Sequence, residues 1–293
     1  MSKIRTVSYT QYKMWSDCPR QWKLTYVDKV LPGEDNIYSV FGSAIHDTVQ
    51  QWLDILFNKS KLIARTMDLS DSLKDNLIKR FGQSIIEENG QKIFVCDKQT
   101  LMEFYDDGCK ILKYLQSHVD KFFPTVEWSL EGIEIPLILE VRNKLQFRGY
   151  IDIILRHKVT GVIKIIDLKT STKGWNKWAK KDKSKTNQIL LYKRYYAEKF
   201  GVDENIIGVE FLILKRKLFE GTPYEIPRVS PFVPAHKKAS VKTAIEEFEA
   251  FLDEAAVVYR DDTTVVKATP SKSACRFCPY NKTEHCSEGA WDG

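Results

Sequence analysis

Two short apolar stretches, each holding one carboxylate, limit what this chain can fold into. They are FRGYIDIIL (147–155) and VIKIIDLKT (162–170). Aliphatic runs of this length, separated by turn-type residues at Lys158–Gly161, specify two neighbouring strands joined by a short turn. Side chains alternate faces along a strand. Asp152 therefore shares a face with Arg148, Tyr150 and Ile154, and Asp167 shares one with Lys169. A carboxylate inside such a strand is costly to bury unless it is paired or holds a cation. If the strands pair, the two carboxylates converge on one hard cation. Mg2+ and Mn2+ favour such oxygen ligands and leave room for water and a substrate phosphate. Lys169 beside them suits the orientation of a water and the stabilisation of charge on a phosphorane. The plain alternative is a buried Asp–Lys ion pair, and Asp152 on the adjacent strand tips the balance to the metal.

Helices are expected on both sides of this strand region. Tyr9, Tyr12, Trp15, Trp22 and Tyr26 recur at close to helical spacing and predict a helix from Ser8 to about Asp28, followed by a loop at Pro32 and Gly33. A second helix over 42–57 places Ile45, Val49, Trp52, Leu53 and Leu56 on one face. Two more are expected near 70–88 and 98–119, the latter capped near Asp97. Strands are expected at 126–141, 145–156, 162–170 and 206–216, with a helix at 186–200 between the last two. A long amphipathic helix at 238–259 carries Val241, Ile245, Phe248, Leu252, Ala255 and Tyr259 in register. The order predicts an α/β fold: a central mixed sheet with an αβββαβ core, N-terminal helical additions and a cysteine-rich, metal-bound C-terminal tail. With no repeat and no evident linker, one domain is expected over 1–293. Its parts are a helical part (1–123), a core (124–217) and a C-terminal helix with the cysteines (218–293).

Composition adds little beyond this. The chain has 293 residues, 43% of them hydrophobic, enough for a real core. The formal charge of +6 is compatible with a polyanionic partner without demanding one. No apolar run is long enough for a membrane span, and the start MSKIRTVSYTQYK lacks the apolar centre of a secretory signal. A cytoplasmic, intracellular location with no membrane is expected. In that reducing compartment six cysteines are metal candidates before they are disulfides.

Other polar features fall around the strand pair. His46, in Gly42-Ser43-Ala44-Ile45-His46, lies next to the apolar face of the second helix, where a lone histidine is usually structural. Gln188 and Tyr192 are four apart and share a helix face. Glu131 and Glu134 both lie on or near the first strand, and either suits an added acidic ligand. The segment KGWNKWAKKDKSK (173–185) carries six lysines around Trp175 and Trp178. Lys173, Lys177, Lys180 and Lys181 would track phosphates while the two indoles stack on bases. A solvated loop is the competing reading.

Taken in order, His46, Gly149-Tyr150-Ile151-Asp152, Asp167-Leu168-Lys169 and Gln188-Ile189-Leu190-Leu191-Tyr192 resemble the PD-(D/E)XK nuclease superfamily. The nearer resemblance is to its RecB-type branch, with helicase-associated and CRISPR-adaptation nucleases. The resemblance implies a DNA-cleaving enzyme that uses Mg2+ or Mn2+. It implies His46, Asp152, Asp167 and the Leu168 carbonyl as metal ligands and Lys169 as the catalytic lysine. Gln188 and Tyr192 would support the site or contact DNA. It also implies a DNA substrate with a single-stranded or free end, and a helicase or recombination protein as partner.

The tail contains Cys275-Arg-Phe-Cys278 and, after seven intervening residues, Cys286. These give three thiolates of a four-ligand site. The fourth ligand is Cys18, Cys96, Cys109 or His285. Sites built from four cysteines serve both zinc and iron–sulfur clusters. Many RecB-type members hold a [4Fe–4S] cluster through one N-terminal cysteine, often before proline, and three near the C-terminus. The set Cys18, Cys275, Cys278 and Cys286 resembles that arrangement, with a longer last gap, and implies [4Fe–4S] with Zn2+ as the alternative. Closing a loop of that size would remove roughly 4–5 kcal/mol of unfolded-state entropy, by analogy with a disulfide. The expected function is a metal-dependent DNA exonuclease. The alternatives are a non-catalytic nucleic-acid-binding or recombination scaffold and a site-specific endonuclease. Oligomeric state is not specified.

Overall fold

The structure is a computed structural model that describes residues 4–31, 35–88, 91–219, 221–224 and 226–291. The expected loop at Pro32 and Gly33 lies outside the described residues. In chain order the elements are β1 (Thr6–Val7), α1 (Tyr9–Asp17), α2 (Pro19–Trp22), α3 (Ile37–Asp54), α4 (Lys61–Thr66) and α5 (Leu69–Gln83). Next come β2 (Ile86–Glu88), β3 (Gln91–Ile93), α6 (Lys98–Ser117), α7 (Val119–Phe122), β4 (Trp128–Val141), β5 (Leu145–His157) and β6 (Ile163–Ser171). The last are α8 (Lys177–Lys181), α9 (Lys183–Phe200), β7 (Ile207–Lys215), β8 (Val229–Phe232), α10 (Lys238–Arg260) and α11 (Lys272–Cys275).

The chain divides into two compact units, with borders at 33/34, at 135/136 inside β4, at 149/150 inside β5 and at 237/238. Unit one comprises Met1–Gly33, Pro136–Gly149 and Lys238–Gly293. Unit two comprises Glu34–Ile135 and Tyr150–Lys237.

Unit two holds a mixed α/β sheet. β5 runs antiparallel to β6, β6 parallel to β7, and β7 antiparallel to β8, with β4 paired to β5. The parallel β6–β7 pairing needs a crossover, and α8 and α9 supply it. Ile153, Leu155, Ile166, Leu168, Leu212 and Leu214 alternate along three strands and form one apolar face. That face joins the buried side chains of α3, α5 and α6, including Phe41, Ile45, Trp52, Leu73 and Phe104. The opposite positions on β5 and β6, among them Asp152 and Asp167, are left for other work.

In unit one, β1 runs parallel to the start of β5, with Thr6 opposite Gln146. Tyr12, Trp22, Phe147, Phe248 and Phe251 form an aromatic core there. Tyr12 meets Phe248 at 5.5 Å, Trp22 meets Phe251 at 5.4 Å, and Phe147 meets Phe248 at 5.7 Å, all edge-on.

The elements differ from the sequence expectation in four places. The helix expected over Ser8 to Asp28 is broken at Cys18, whose backbone is extended (φ −160°, ψ 110°). Pro19 causes this, because a proline disfavours the α region for the residue before it while suiting the first turn of α2 itself. The second helix begins at Ile37, earlier than expected, because Asn36 caps it in a reciprocal capping box with Ser39. The helix expected to reach residue 88 stops at Gln83, and Ile86–Glu88 turns into the β2–β3 hairpin. β8 was not expected: four residues flanking a proline give little signal, and pairing with β7 makes the strand. Asp97 caps α6 as expected, accepting from the Thr100 amide at 2.7 Å.

Candidate functional site

Unit two brings seven of the sequence-selected residues together. Extending the β5–β6 register one step beyond the Ile153–Ile166 pair sets Asp152 across from Asp167. Both carboxylates are buried, Asp167 at 2% relative exposure. The Leu168 amide donates to Asp152 Oδ2 at 2.7 Å. His46, on α3, places Nδ1 3.6 Å from the same oxygen, and the Leu168 backbone also hydrogen-bonds the imidazole. Gly42, four residues before His46, lies close to β6: a Cβ there would stand 3.3 Å from Thr170 Oγ1. Lys169 Nζ lies 2.8 Å from Asp167 Oδ2 and donates to Gln188 Oε1 at 2.9 Å. Gln188 Nε2 in turn donates to the Tyr192 hydroxyl at 2.9 Å. The helix spacing of Gln188 and Tyr192 thus becomes a relay that fixes where the ammonium sits.

The electrostatics follow from burial. Burial pushes Asp152 and Asp167 up from the usual carboxylate range to about 6, against the pull of Lys169. Burial opposes the Lys169 ammonium, but Asp167 and Asp152 outweigh it and its pKa is raised. His46 is lowered by burial and by Lys169, so the imidazole is neutral near pH 7 and its contact with Asp152 is not an ion pair. Burial, with the charge of Asp167, also raises the Tyr192 phenol, which therefore stays protonated. Asp167 Oδ2 is engaged by the Lys169 ammonium at 2.8 Å and by no other donor. Two buried carboxylates facing one another with a single ammonium between them leave negative charge that a cation would offset. Neutral imidazole, two carboxylates and a backbone carbonyl are a donor set that fits a hard divalent ion. Among the described residues no three His, Cys, Asp or Glu side chains already stand together as a bound ion needs. Asp152 is turned to the Leu168 amide and Asp167 to Lys169, so ligation requires these carboxylates to rotate.

The choice between Glu131 and Glu134 is a matter of geometry. Glu131 is held away from the site by Arg156, through both carboxylate oxygens, and by the Tyr196 hydroxyl at 2.7 Å. Glu134 acts on both Asp152 and His46 electrostatically. It accepts from Gln50 Nε2 at 2.6 Å, and the same amide reaches the Asp152 carbonyl at 3.4 Å. Glu134 has φ 49°, a left-handed conformation unusual for a side-chain-bearing residue. Two positions earlier only glycine fits, since a Cβ on Gly132 would lie 2.4 Å from Ile135 Cγ1. β4 thus departs from regular alternation here, so simple counting along the strand could not decide between the two acids. Gln50 was missed by the sequence reading. Its signal was present: it follows His46 by four residues on the same helix.

The lysine-rich segment separates into two kinds of residue. Asn176 caps α8, accepting from the Trp178 and Ala179 amides at 3.0 and 2.9 Å. Trp175 packs on Phe211 and Phe232 at 5.1 and 6.1 Å, which gives it a structural anchor role. Trp178 is 69% exposed. Lys173 lies over Phe219, Lys177 over Trp178 and Lys180 over Phe232. Lys181 ends α8 on its exposed side.

In unit one, Cys18, Cys275, Cys278 and Cys286 line one pocket with Leu24, Pro270 and Ala274. All four are free thiols. Burial raises the Cys278 thiol, and Cys18, Cys286 and Cys275 add to that rise. Cys96 and Cys109 belong to unit two and do not line this pocket. His285 is 6.2 Å from Tyr280, ring to ring.

A family model of the PD-(D/E)XK nuclease superfamily matches residues 6–283. The chain belongs to the PD-(D/E)XK nuclease superfamily. No curated protein sequence matches it significantly. Membership makes the chain a metal-dependent nuclease, of a superfamily that generally uses Mg2+ or Mn2+ and acts on DNA. No helix among the described residues is long and apolar enough to cross a membrane.

Proposed function

We propose that this nuclease is a Mg2+- or Mn2+-dependent deoxyribonuclease that works as an exonuclease on DNA with a free or single-stranded end. The observation that supports the metal assignment is the pair of buried carboxylates, Asp152 across from Asp167, with His46 Nδ1 3.6 Å from Asp152. His46, Asp152, Asp167 and the Leu168 carbonyl would hold the ion, with Glu134 as the further acid and Glu131 engaged elsewhere by Arg156. When bound, the ion supplies Lewis-acid polarisation of the scissile phosphate and makes a neighbouring water more acidic. Lys169, kept charged by the two carboxylates and aimed by Gln188, orients the attacking water and stabilises charge on the phosphorane. Tyr192 fixes Gln188 in the orientation that leaves its Oε1 toward the ammonium. Trp178 and the lysines at 173, 177, 180 and 181 guide the strand, Trp178 by stacking and the lysines by tracking phosphates.

The four thiols of unit one, gathered around one pocket, support a [4Fe–4S] cluster there, with Zn2+ as the other occupant of a four-cysteine site. The cluster would serve as a structural staple between α1–α2 and the tail. Visible absorption of protein purified without oxygen separates iron–sulfur from zinc.

The test of activity is digestion of end-labelled linear DNA in Mn2+ by the wild type, Asp167→Ala and Lys169→Ala. Each variant is expected to lose at least 100-fold in rate, a barrier increase of about 2.7 kcal/mol. Equal rates in all three would sink the assignment. Covalently closed circular DNA in parallel separates the exonuclease from an endonuclease, since only the latter cuts it.

A further inference from the structure

Unit one contains a second concave site, of about 500 Å3, lined by Arg5, Glu140, Lys144, Tyr259 and Arg260 among others. None of these belongs to the carboxylate site or to the cysteine pocket. Three cations face one carboxylate, and among the described residues Arg5, Lys144 and Arg260 form no ion pair. By contrast, Arg142 pairs with Asp253 at 2.7 Å and Arg80 with Asp47 at 2.7 Å. Uncompensated positive charge gathered around a cavity is a site prepared for an anion.

Each of the three cations is carried by anchored backbone. The Arg5 carbonyl accepts from the Gln146 amide at 3.0 Å, and its guanidinium lies 5.4 Å from the centre of the Tyr259 ring. Tyr259 is itself fixed, donating to Gln11 Oε1 at 3.0 Å. Lys144 follows Asn143 in the turn between β4 and β5, and both are left-handed (φ 57° and 62°). Asn143 Nδ2 holds that turn to α10, donating to Asp253 Oδ1 at 2.8 Å. Two consecutive left-handed residues make a tight hairpin turn that an ordinary lysine disfavours. Lys144, in that conformation, lines this cavity. Arg260 ends α10, one residue beyond Tyr259.

We propose that this pocket is a phosphate-binding site for the phosphomonoester of a nucleotide, either free or at the end of a nucleic-acid strand. The net charge of the lining, three cations against Glu140, matches a dianion better than the single charge of an internal phosphodiester. Tyr259 and the aliphatic stems of the cations offer a surface for a sugar or base. The proposal leans on the nuclease reading only for the kind of phosphate available.

The experiment is equilibrium binding in EDTA, so that nothing is cleaved, on the full chain. The probes are pyrophosphate, dAMP, and a short labelled oligonucleotide with either a 5′-phosphate or a 5′-hydroxyl. The variants are Arg260→Gln and Lys144→Asn, asparagine being chosen because it tolerates the left-handed conformation. Wild type is expected to bind at least one phosphomonoester probe, and the double variant at least tenfold more weakly with an unchanged melting temperature. The salt dependence should flatten by about one unit of slope per cation removed. Preference for dAMP identifies a free nucleotide, and preference for the 5′-phosphorylated strand identifies a strand end; both support the site. Affinities within twofold between wild type and the double variant for every probe, or no binding by wild type, overturn it. Loss of cleavage in Asp167→Ala is read separately, so the nuclease reading and this one fail independently.

Discussion

Asp152 and Asp167 face each other at a cost. Each has a folded-state pKa of about 6 against an ordinary value of 3.8. A carboxyl group raised on folding contributes stability that is fully present below about pH 4 and is lost as pH rises through about 6. The metal-free protein should therefore melt at progressively lower temperature between those values. Asp167→Asn should remove much of that decline and stabilise the metal-free protein at pH 7, on the order of 2 kcal/mol. Mg2+ should stabilise the wild type more at pH 7 than at pH 5, since ligation requires both groups ionised. Thermal melts across pH with EDTA or Mg2+ check this, and a wild type that melts alike at pH 4.5 and 7 in EDTA would refute it. At this scale the sequence was informative about Asp152, Asp167, Lys169, Gln188 and Tyr192, because each sits where strand or helix periodicity aims it. It was silent on Glu134 against Glu131, because a left-handed residue in β4 breaks the periodicity on which such counting depends.

Among the elements, the segment leading into α8 gives the sharpest contrast. Trp175 and Trp178 are three residues apart in the same lysine-rich stretch and looked equivalent in the sequence. Trp175 packs against β7 and β8 aromatics, whereas Trp178 lies largely in solvent. Trp175→Ala should cost about 2–3 kcal/mol of stability, less than a fully buried tryptophan because it is only partly buried. Trp178→Ala should leave melting unchanged and weaken binding of single-stranded oligonucleotide by roughly 1–3 kcal/mol. Chemical denaturation with fluorescence anisotropy on both variants reads the two effects apart. The reverse pattern would exchange their roles. β8, against which Trp175 packs, is a strand made by its neighbour rather than by its own composition, and so the distinction could not be seen in advance. The break between α1 and α2 is the opposite case. Pro19 announced it in the sequence, but the aromatic spacing on either side continued smoothly enough to hide it.

Over the whole molecule, the expected α/β fold with a mixed central sheet and several helices is present, and its contacts group it into two units. Unit one is assembled from the first, a middle and the last stretch of the chain, and periodicity within any one stretch carries no information on that. The cysteines were the only long-range signal, linking Cys18 to Cys275, Cys278 and Cys286. If they hold a cluster, Cys278→Ala should lose bound iron and lower the melting temperature by several degrees, through the same loop closure. Iron content and calorimetry test this together, and unchanged melting with full iron content would exclude Cys278 as a ligand.

That three-part grouping also has a consequence for the order of events during synthesis. A ribosome delivers the chain from the N-terminus, and units assemble as their residues emerge. Every residue of unit two, Glu34 to Lys237, is made before α10 begins at Lys238. The carboxylate site is thus available to form while Tyr12 and Trp22 still await Phe248 and Phe251. Cys18 precedes unit two in the chain, and its pocket partners Cys275, Cys278 and Cys286 all follow α10. Any group the four thiols hold together can be inserted only after Cys286 has been translated, well after every residue of unit two.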